Sequence, residues 1–163
     1  MTPAGEISVG VGASASLQGP GTLVAPGLGS SVAVLLHDSA RQVGGVAHVG
    51  LPSRSLAREH GNLGRFAETA VPRLLDEVVA RGADRRDVVA RLVGGAALFN
   101  DLLPSGSIHM GQRNVAACRA VLRVLGVPVV GEAVSGSAGH AVRFDVGRGT
   151  VTVSSPLAGD QTL

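Results

Sequence analysis

The chain has 163 residues, a formal net charge of +2, 45% hydrophobic residues and only 2% aromatic residues. This length is enough for one domain with a buried core and too short for two, and the apolar content argues against a disordered chain. All 14 basic residues are arginines dispersed among acidic residues, and there are few aromatic side chains to stack on bases. We therefore predict no nucleic-acid binding.

The single cysteine, Cys118, excludes an internal disulfide, and its apolar surroundings are typical of a small buried side chain. The longest apolar run is far too short to span a bilayer, so we predict no membrane insertion and a cytoplasmic location.

Short strand patterns dominate the first fifty residues, and they surround small-residue loops. The predicted strands here are residues 7–11, 22–25, 32–36 and 43–51. Pro26 should end the second strand because proline cannot donate to a sheet. Residues 12–21 and 53–64 are predicted loops. Since a short turn at residues 38–42 connects the last two strands, we expect these strands to pair as an antiparallel hairpin.

Two amphipathic segments predict helices, at residues 66–81 and 114–125. Gly82 and Gly126 are suited to the positions where these helices end, and Asn114 is a plausible N-cap for the second. Pro72 lies within the first helical pattern, so we expect either a late start or a kink there.

The remaining chain predicts strands at residues 88–93, 128–130, 141–146 and 150–153, a loop at residues 99–111 and a loose tail at 156–163. Strands in this order with two helices predict the α/β class. We expect a single layered α/β sandwich domain with mainly antiparallel strands and a core from about residue 7 to residue 153.

The hairpin carries the best candidate for a reaction centre. Ser31 begins one strand and His48 lies near the end of the other, and a turn centred midway sets Ser31 opposite Val49. A shift of one residue decides whether the two side chains meet. If they meet, His48 can accept the Ser31 proton, and backbone N–H groups of Gly29 and Ser30 can hold an oxyanion. Serine and histidine are also brought together incidentally, so spacing alone leaves this role open.

No other constellation in the sequence carries chemistry so clearly. The remaining histidines are His37, His60, His109 and His140. They are scattered without metal-ligand spacing, so we predict no metal and no cofactor. Arg113 and Asn114 precede the second helix, where they are either a surface arginine with a helix cap or a polar pair that faces a site.

Four segments together resemble one known family. Residues 27–34, Gly-Leu-Gly-Ser-Ser-Val-Ala-Val, are similar to the nucleophile segment of the CheD chemoreceptor glutamine deamidases, and residues 43–52 are similar to its histidine segment. Residues 94–96 and 110–114 resemble two further signatures in the same order. The resemblance covers about residues 7–153.

This resemblance implies a fold, an activity and partners. Members of the family hydrolyse side-chain amides of selected glutamines on methyl-accepting chemotaxis receptors, and they also bind CheC, a phosphatase of the chemotaxis response regulator. Their fold is a layered α/β sandwich. The resemblance therefore implies a chemoreceptor partner and a possible CheC-like partner for this chain.

The site implied by the resemblance is altered at two of three catalytic positions. His48 matches the family histidine, whereas Ser31 stands at the cysteine position and Ala25 at the threonine position. Towards the C-terminus, Ser135 and Gly136 replace a glycine pair, and His140 replaces an arginine. The sequence thus leaves two functions open: a serine-dependent deamidase, or a catalytically degenerate module that still binds receptors or a CheC-type phosphatase.

Two further expectations concern the surroundings of the pair. Without the family threonine, His48 needs another group to orient its ring, and Thr22, Ser30 and Asp38 are the polar side chains that we consider. A deamidase must also engage an exposed glutamine, so we expect an open groove bordered by the glycine loop. The other predicted groove residues are Gly94, Gly95, Arg113 and Asn114.

Overall fold

The computed structural model describes residues 5–97, 109–134, 136, 138–156 and 159–163. Within these residues the chain forms ten β-strands and two α-helices, which confirms the predicted α/β class. The strands are β1 (Glu6–Ser8), β2 (Ser14–Gln18), β3 (Thr22–Leu28), β4 (Val32–Asp38), β5 (Val43–Val49), β6 (Val89–Gly94), β7 (Val129–Val134), β8 (His140–Asp145), β9 (Thr150–Ser155) and β10 (Gly159–Thr162). The helices are α1 (Ala67–Ala80) and α2 (Met110–Leu125).

The strands form two five-stranded sheets. The outer sheet has the order β1-β3-β8-β9-β10, and the central sheet has the order β2-β5-β4-β6-β7. The pairs β1/β3 and β6/β7 are parallel, and the others are antiparallel. Both helices pack on the face of the central sheet that points away from the outer sheet. The result is a three-layer sandwich of sheet, sheet and helices.

The central sheet is covered on both faces, and its sequence reflects this. Every residue of β4 and β5 is buried, and all of them are apolar or glycine except His37, Asp38 and His48. Alternate residues of β5 point to opposite layers. A side chain at Gly44 would collide with the Phe144 ring of the outer sheet, and one at Gly45 would collide with Leu74 of α1. Glycines at these two positions let all three layers pack closely.

Three features of the strands differ from the sequence prediction. β2 lies within the predicted loop 12–21, where small residues gave no clear alternation, and it is the edge strand beside β5. β3 continues past Pro26 to Leu28 because an irregularity in its pairing with β8 accommodates the proline. The tail predicted to be loose contains β10, which pairs with β9.

The helices lie close to their predicted bounds. α1 begins at Ala67, so Pro72 falls in its interior and the predicted late start is wrong. Its C-cap is Arg81, followed by Gly82 with φ +117°, and Gly126 is the C-cap of α2 with φ +74°. α2 begins earlier than predicted, with His109 as its N-cap.

None of the described helices is long and apolar enough to cross a bilayer. Most of the predicted loop 99–111 lies outside the described residues, and so does Ser135.

Candidate active site

The register of the β4/β5 hairpin determines which side chains meet. The strands pair antiparallel as predicted, with Ala33 opposite His48 and Val32 opposite Val49, one residue from the register that the sequence indicated. Ser31 precedes Ala33 by two residues, so its side chain points to the same face of the sheet. Ser31 and His48 are therefore diagonal neighbours, and both face the outer sheet.

A buried hydrogen bond joins these two side chains. Ser31 Oγ lies 2.7 Å from His48 Nε2, and His48 Nδ1 lies 3.0 Å from the main-chain oxygen of Val9. A carbonyl oxygen only accepts, so Nδ1 carries the ring proton and donates it to Val9. Nε2 then holds a lone pair that accepts the Ser31 hydroxyl proton. The hydroxyl, the imidazole base and the orienting acceptor therefore form one chain of hydrogen bonds.

The Val9 carbonyl is held in place by the crossing from the outer sheet to the central sheet. The Val9 N–H donates to the Val24 oxygen of β3 at 2.7 Å, which ties this residue to the outer sheet. Beyond it, the main chain of His48 exchanges hydrogen bonds with the next few residues: its N–H donates to Ala13 oxygen at 3.0 Å, and its oxygen accepts from the Gly12 N–H at 2.9 Å. Both the ring and the backbone of His48 are thus fixed by one short segment.

Burial makes His48 a neutral base. Its side chain is 1% exposed, and desolvation lowers its pKa below the ordinary value of 6.5, although the hydrogen bond to Val9 acts in the opposite direction. At neutral pH the ring is therefore uncharged and able to accept a proton. Ser31 is 8% exposed, so its hydroxyl lies just below the surface.

Hydrogen bonds to three consecutive carbonyls hold the loop that carries Ser31 in place. The oxygen of Gly29 accepts from the Ala96 N–H at 2.8 Å, and the oxygen of Ser31 accepts from the Gly95 N–H at 2.9 Å. Between them, the Ser30 oxygen accepts from the side-chain amide of Asn114 at 2.9 Å. Because these three carbonyls are hydrogen-bonded, the backbone around Ser31 is held in place, and this fixes the position of the Ser31 side chain.

Asn114 also connects the two strands of the hairpin. Its Nδ2 atom donates a second hydrogen bond, 3.1 Å long, to the oxygen of Gly50, which lies two residues beyond His48. This asparagine is completely buried inside α2. The predicted N-cap role is therefore wrong: its side chain fastens the segment before Ser31 to the segment after His48.

Glycines allow neighbouring backbone segments to pack closely around this loop. Gly94 has φ +112°, and a side chain there would collide with the Ser31 carbonyl oxygen. A side chain at Gly111 would collide with the carbonyl oxygens of Gly95 and Ala96. Glycine is needed at these positions because backbone from β6 and α2 lies directly against the loop.

The glycine loop offers donors for a developing negative charge. The Gly29 N–H donates to the Gly27 oxygen at 3.1 Å and is already engaged. Among the described residues, the N–H groups of Ser30 and Ser31 have no acceptor. Of the predicted oxyanion donors, Ser30 therefore keeps a free N–H and Gly29 does not, and the structure adds the N–H of Ser31 itself.

The predicted groove residues lie mainly behind the site. Gly94, Gly95 and Asn114 are buried and brace the Ser31 loop, so they do not border an open surface. Arg113 is exposed, and its role in binding stays a prediction.

None of the side chains considered as orienters of His48 performs that role. Both ring nitrogens are already engaged, by Ser31 and by Val9, which leaves no position for Thr22, Ser30 or Asp38. Asp38 is instead bonded to Arg41 and to the Asp84 N–H. Ala25, at the position of the family threonine, is buried between the sheets. The Val9 carbonyl, which the sequence analysis missed, takes the place of an orienting side chain.

The fold and the site together define a three-layer α/β protein with a buried serine–histidine pair between its two sheets. A family model described as CheD chemotactic sensory transduction matches residues 51–155. The chain therefore belongs to the CheD family.

Named relatives align over most of the chain. One is the probable chemoreceptor glutamine deamidase CheD of Moorella thermoacetica, which is 38% identical over 160 residues covering 93% of each chain. The chemoreceptor glutamine deamidase CheD of Halalkalibacterium halodurans is 38% identical over 127 residues, 77% of this chain and 78% of the relative. A probable chemoreceptor glutamine deamidase CheD of Pyrococcus abyssi is 34% identical over 154 residues, 94% of each.

Proposed function

We propose that this protein is a serine-dependent glutamine deamidase that acts on chemoreceptors. The observation that carries the proposal is the chain of contacts from Ser31 Oγ to His48 Nε2 and from His48 Nδ1 to the Val9 oxygen. It supplies the nucleophile, the base and the orienting group that attack on an amide requires. The names of the relatives supply the substrate class, and a receptor substrate implies action in the cytoplasm.

The first half of the reaction forms an ester with the enzyme. Ser31 Oγ attacks the side-chain carbonyl carbon of the substrate glutamine while His48 Nε2 takes the hydroxyl proton. The N–H groups of Ser30 and Ser31 stabilise the oxyanion of the tetrahedral intermediate. Its C–N bond then breaks, His48 returns the proton to the departing nitrogen, and ammonia leaves.

The second half regenerates the enzyme. A water molecule attacks the ester carbonyl while His48 accepts one of its protons, and the C–O bond to Ser31 breaks as His48 protonates that oxygen. The substrate glutamine becomes glutamate, and one water is consumed for each ammonia released. The hydrogen bond to the Val9 carbonyl stabilises the imidazolium that forms in each half.

The alternative function is a binding module without catalysis. It was suggested by Ser31 and Ala25 at the positions of the family cysteine and threonine. The Val9 contact favours the enzyme, because the group that Ala25 cannot provide is supplied by the main chain. A CheC-like phosphatase is a second proposed partner, and it is compatible with either function.

The experiment is ammonia release from a cytoplasmic fragment of a methyl-accepting chemotaxis receptor, measured together with binding of the same fragment. We expect the wild-type protein to bind the fragment and to release ammonia, with one glutamate formed for each ammonia. A fragment that binds but yields no ammonia would overturn the deamidase and support the binding module.

The pH dependence of the reaction should report the state of His48. Only the neutral ring can accept the Ser31 proton, so activity is present above the His48 pKa and is lost as the pH falls through it. Burial lowers that pKa, and we therefore expect the acid limb of kcat/KM to have its midpoint below about 6.5. An acid limb with its midpoint above this value would contradict a buried neutral base.

Replacing Ser31 with cysteine should raise activity about tenfold or more. A free thiol has a pKa near 8.5, far below that of a hydroxyl, so His48 can ionise it before attack. Iodoacetamide labelling of S31C provides a second readout, and the wild-type protein is its control, because burial raises the pKa of the Cys118 thiol to about 12. A variant that labels readily yet deamidates more slowly than wild type would show that a thiol does not suit this site.

A further inference from the structure

A large cavity lies beside the Ser31 loop and takes no part in the chemistry above. Its volume is about 630 Å³, and one wall is formed by Gly27, Leu28 and Gly29. The rest of the lining comes from the residues around the start of β8, including Gly139 and Ala141, and from the end of β9. The cavity therefore opens at the end of the outer sheet where β3 leads into the nucleophile loop.

The cavity is close enough to Ser31 to accept part of the same substrate. Gly29 precedes Ser31 by two residues, and consecutive Cα atoms are about 3.8 Å apart, so the two Cα atoms lie within about 8 Å. Side chains one turn apart on a helix, or two residues apart on an extended chain, are separated by about 5–7 Å. The distance from Ser31 to this cavity therefore matches the spacing between a target glutamine and a nearby residue of the substrate.

The lining selects for apolar groups. Among the residues that the structure describes, the lining consists of glycine, leucine, alanine, serine, proline and one histidine, and none of these lining residues is aspartate, glutamate, arginine or lysine. A charged or strongly polar side chain would lose its hydration there without gaining a partner of opposite charge. An aliphatic side chain would instead be removed from water against Ala141 and Pro156.

Gly139 keeps the cavity open without a backbone reason for being glycine. Its φ is outside the left-handed region, and an added Cβ atom would meet only the Leu28 oxygen, at 3.5 Å, among the described atoms. This differs from Gly94, where both the φ angle and the Ser31 carbonyl exclude a side chain. Glycine at position 139 leaves room in the cavity instead of relieving strain.

We infer that this cavity is a specificity subsite that receives an apolar side chain located near the target glutamine in the substrate protein. The inference rests on the proposed deamidase function, since it places the glutamine at Ser31. In this proposal, Gly139 and its neighbours determine which glutamines are selected, and they are distinct from the residues that carry out the reaction.

The test uses pairs of glutamine peptides that carry either leucine or serine at positions up to four residues from the glutamine. We expect wild type to prefer the leucine peptide about 10- to 100-fold in kcat/KM at one or two of these positions. G139L should remove this preference by raising KM for the leucine peptide more than KM for the serine peptide. The control is G61L, because an added side chain at the exposed Gly61 meets nothing within 4 Å.

Binding of the same peptides to S31A separates the subsite from the chemistry. We expect tighter binding of the leucine peptide by S31A, and loss of that advantage in the double variant S31A/G139L. Equal binding and equal kcat/KM for both peptides at every position, in protein that releases ammonia, would overturn the subsite alone. If wild type released no ammonia from any peptide while the leucine preference in binding persisted, the proposed function would fail, and the cavity would remain a binding site for an apolar side chain without a role in deamidation.

Discussion

Replacing His48 with glutamine is expected to lower deamidation by about 10²- to 10⁴-fold, the range typical of a positioned general base. Glutamine can still bond to the Val9 oxygen, but its amide is not basic enough to take the Ser31 proton. The loss should fall mainly on kcat, because His48 is 1% exposed and has little surface with which to bind substrate.

The matched control is His37→Gln. His37 is also a buried histidine with a pKa lowered by desolvation, and it faces the same layer between the sheets, where its ring packs edge-on against Phe144. It lies six residues beyond Ser31 along the chain, about 20 Å away on an extended strand. H37Q should therefore keep wild-type activity in folded protein. Equal losses in the two variants would mean that damage to the core, and not removal of a base, explains the effect.

Asn114→Ala is expected to destabilise the fold by about 1–3 kcal/mol, because the part-buried hydrogen bonds to the carbonyls of Ser30 and Gly50 would both be lost. Activity should fall as well, even at temperatures where the variant is folded. The two carbonyls flank the reaction centre in sequence, one just before Ser31 and the other just after His48. Loosening both would widen the 2.7 Å separation of Oγ and Nε2.

Urea unfolding measures the free energy, and Asn62→Ala is the control. Asn62 is exposed, and its side chain accepts one hydrogen bond from the Gly64 N–H at the start of a short 3-10 helix. Loss of such a cap costs about 1 kcal/mol. If N114A were no less stable than N62A, the contribution assigned to the buried amide would be wrong.

The parts of the fold that the sequence predicts are those with strong local patterns. β4 and β5 are largely apolar runs separated by a short turn, and α1 and α2 have clear apolar faces, so the existence of these elements and the pairing of the two strands follow from the sequence pattern. β2 and β10 were missed because they are edge strands of small or polar residues. Their stability comes from pairing with β5 and β9, which no local pattern shows.

Only the side chains of the site could be predicted from the sequence, and the main-chain group that contacts His48 could not. Ser31 and His48 are seventeen positions apart within one hairpin, so hairpin geometry brings them close. The Val9 carbonyl comes from the segment that follows β1 of the outer sheet, thirty-nine positions away from His48. Since every residue has a carbonyl, nothing in the sequence distinguishes this one. Asn114 was misassigned for a related reason: asparagine near a helix start is typical of a cap, and only packing of α2 against the loop buries it.

The central claim is that Ser31 is the nucleophile of a glutamine deamidase, and site-resolved mass spectrometry of a chemoreceptor fragment tests it most directly. The fragment is incubated with wild type, S31A or S30A, and each glutamine is scored for conversion to glutamate. Ser30 is the matched control because it is the neighbouring hydroxyl and its side chain is exposed. We expect conversion at specific glutamines with wild type and S30A, and none above background with S31A. Conversion that persists at the wild-type rate in S31A would contradict the claim.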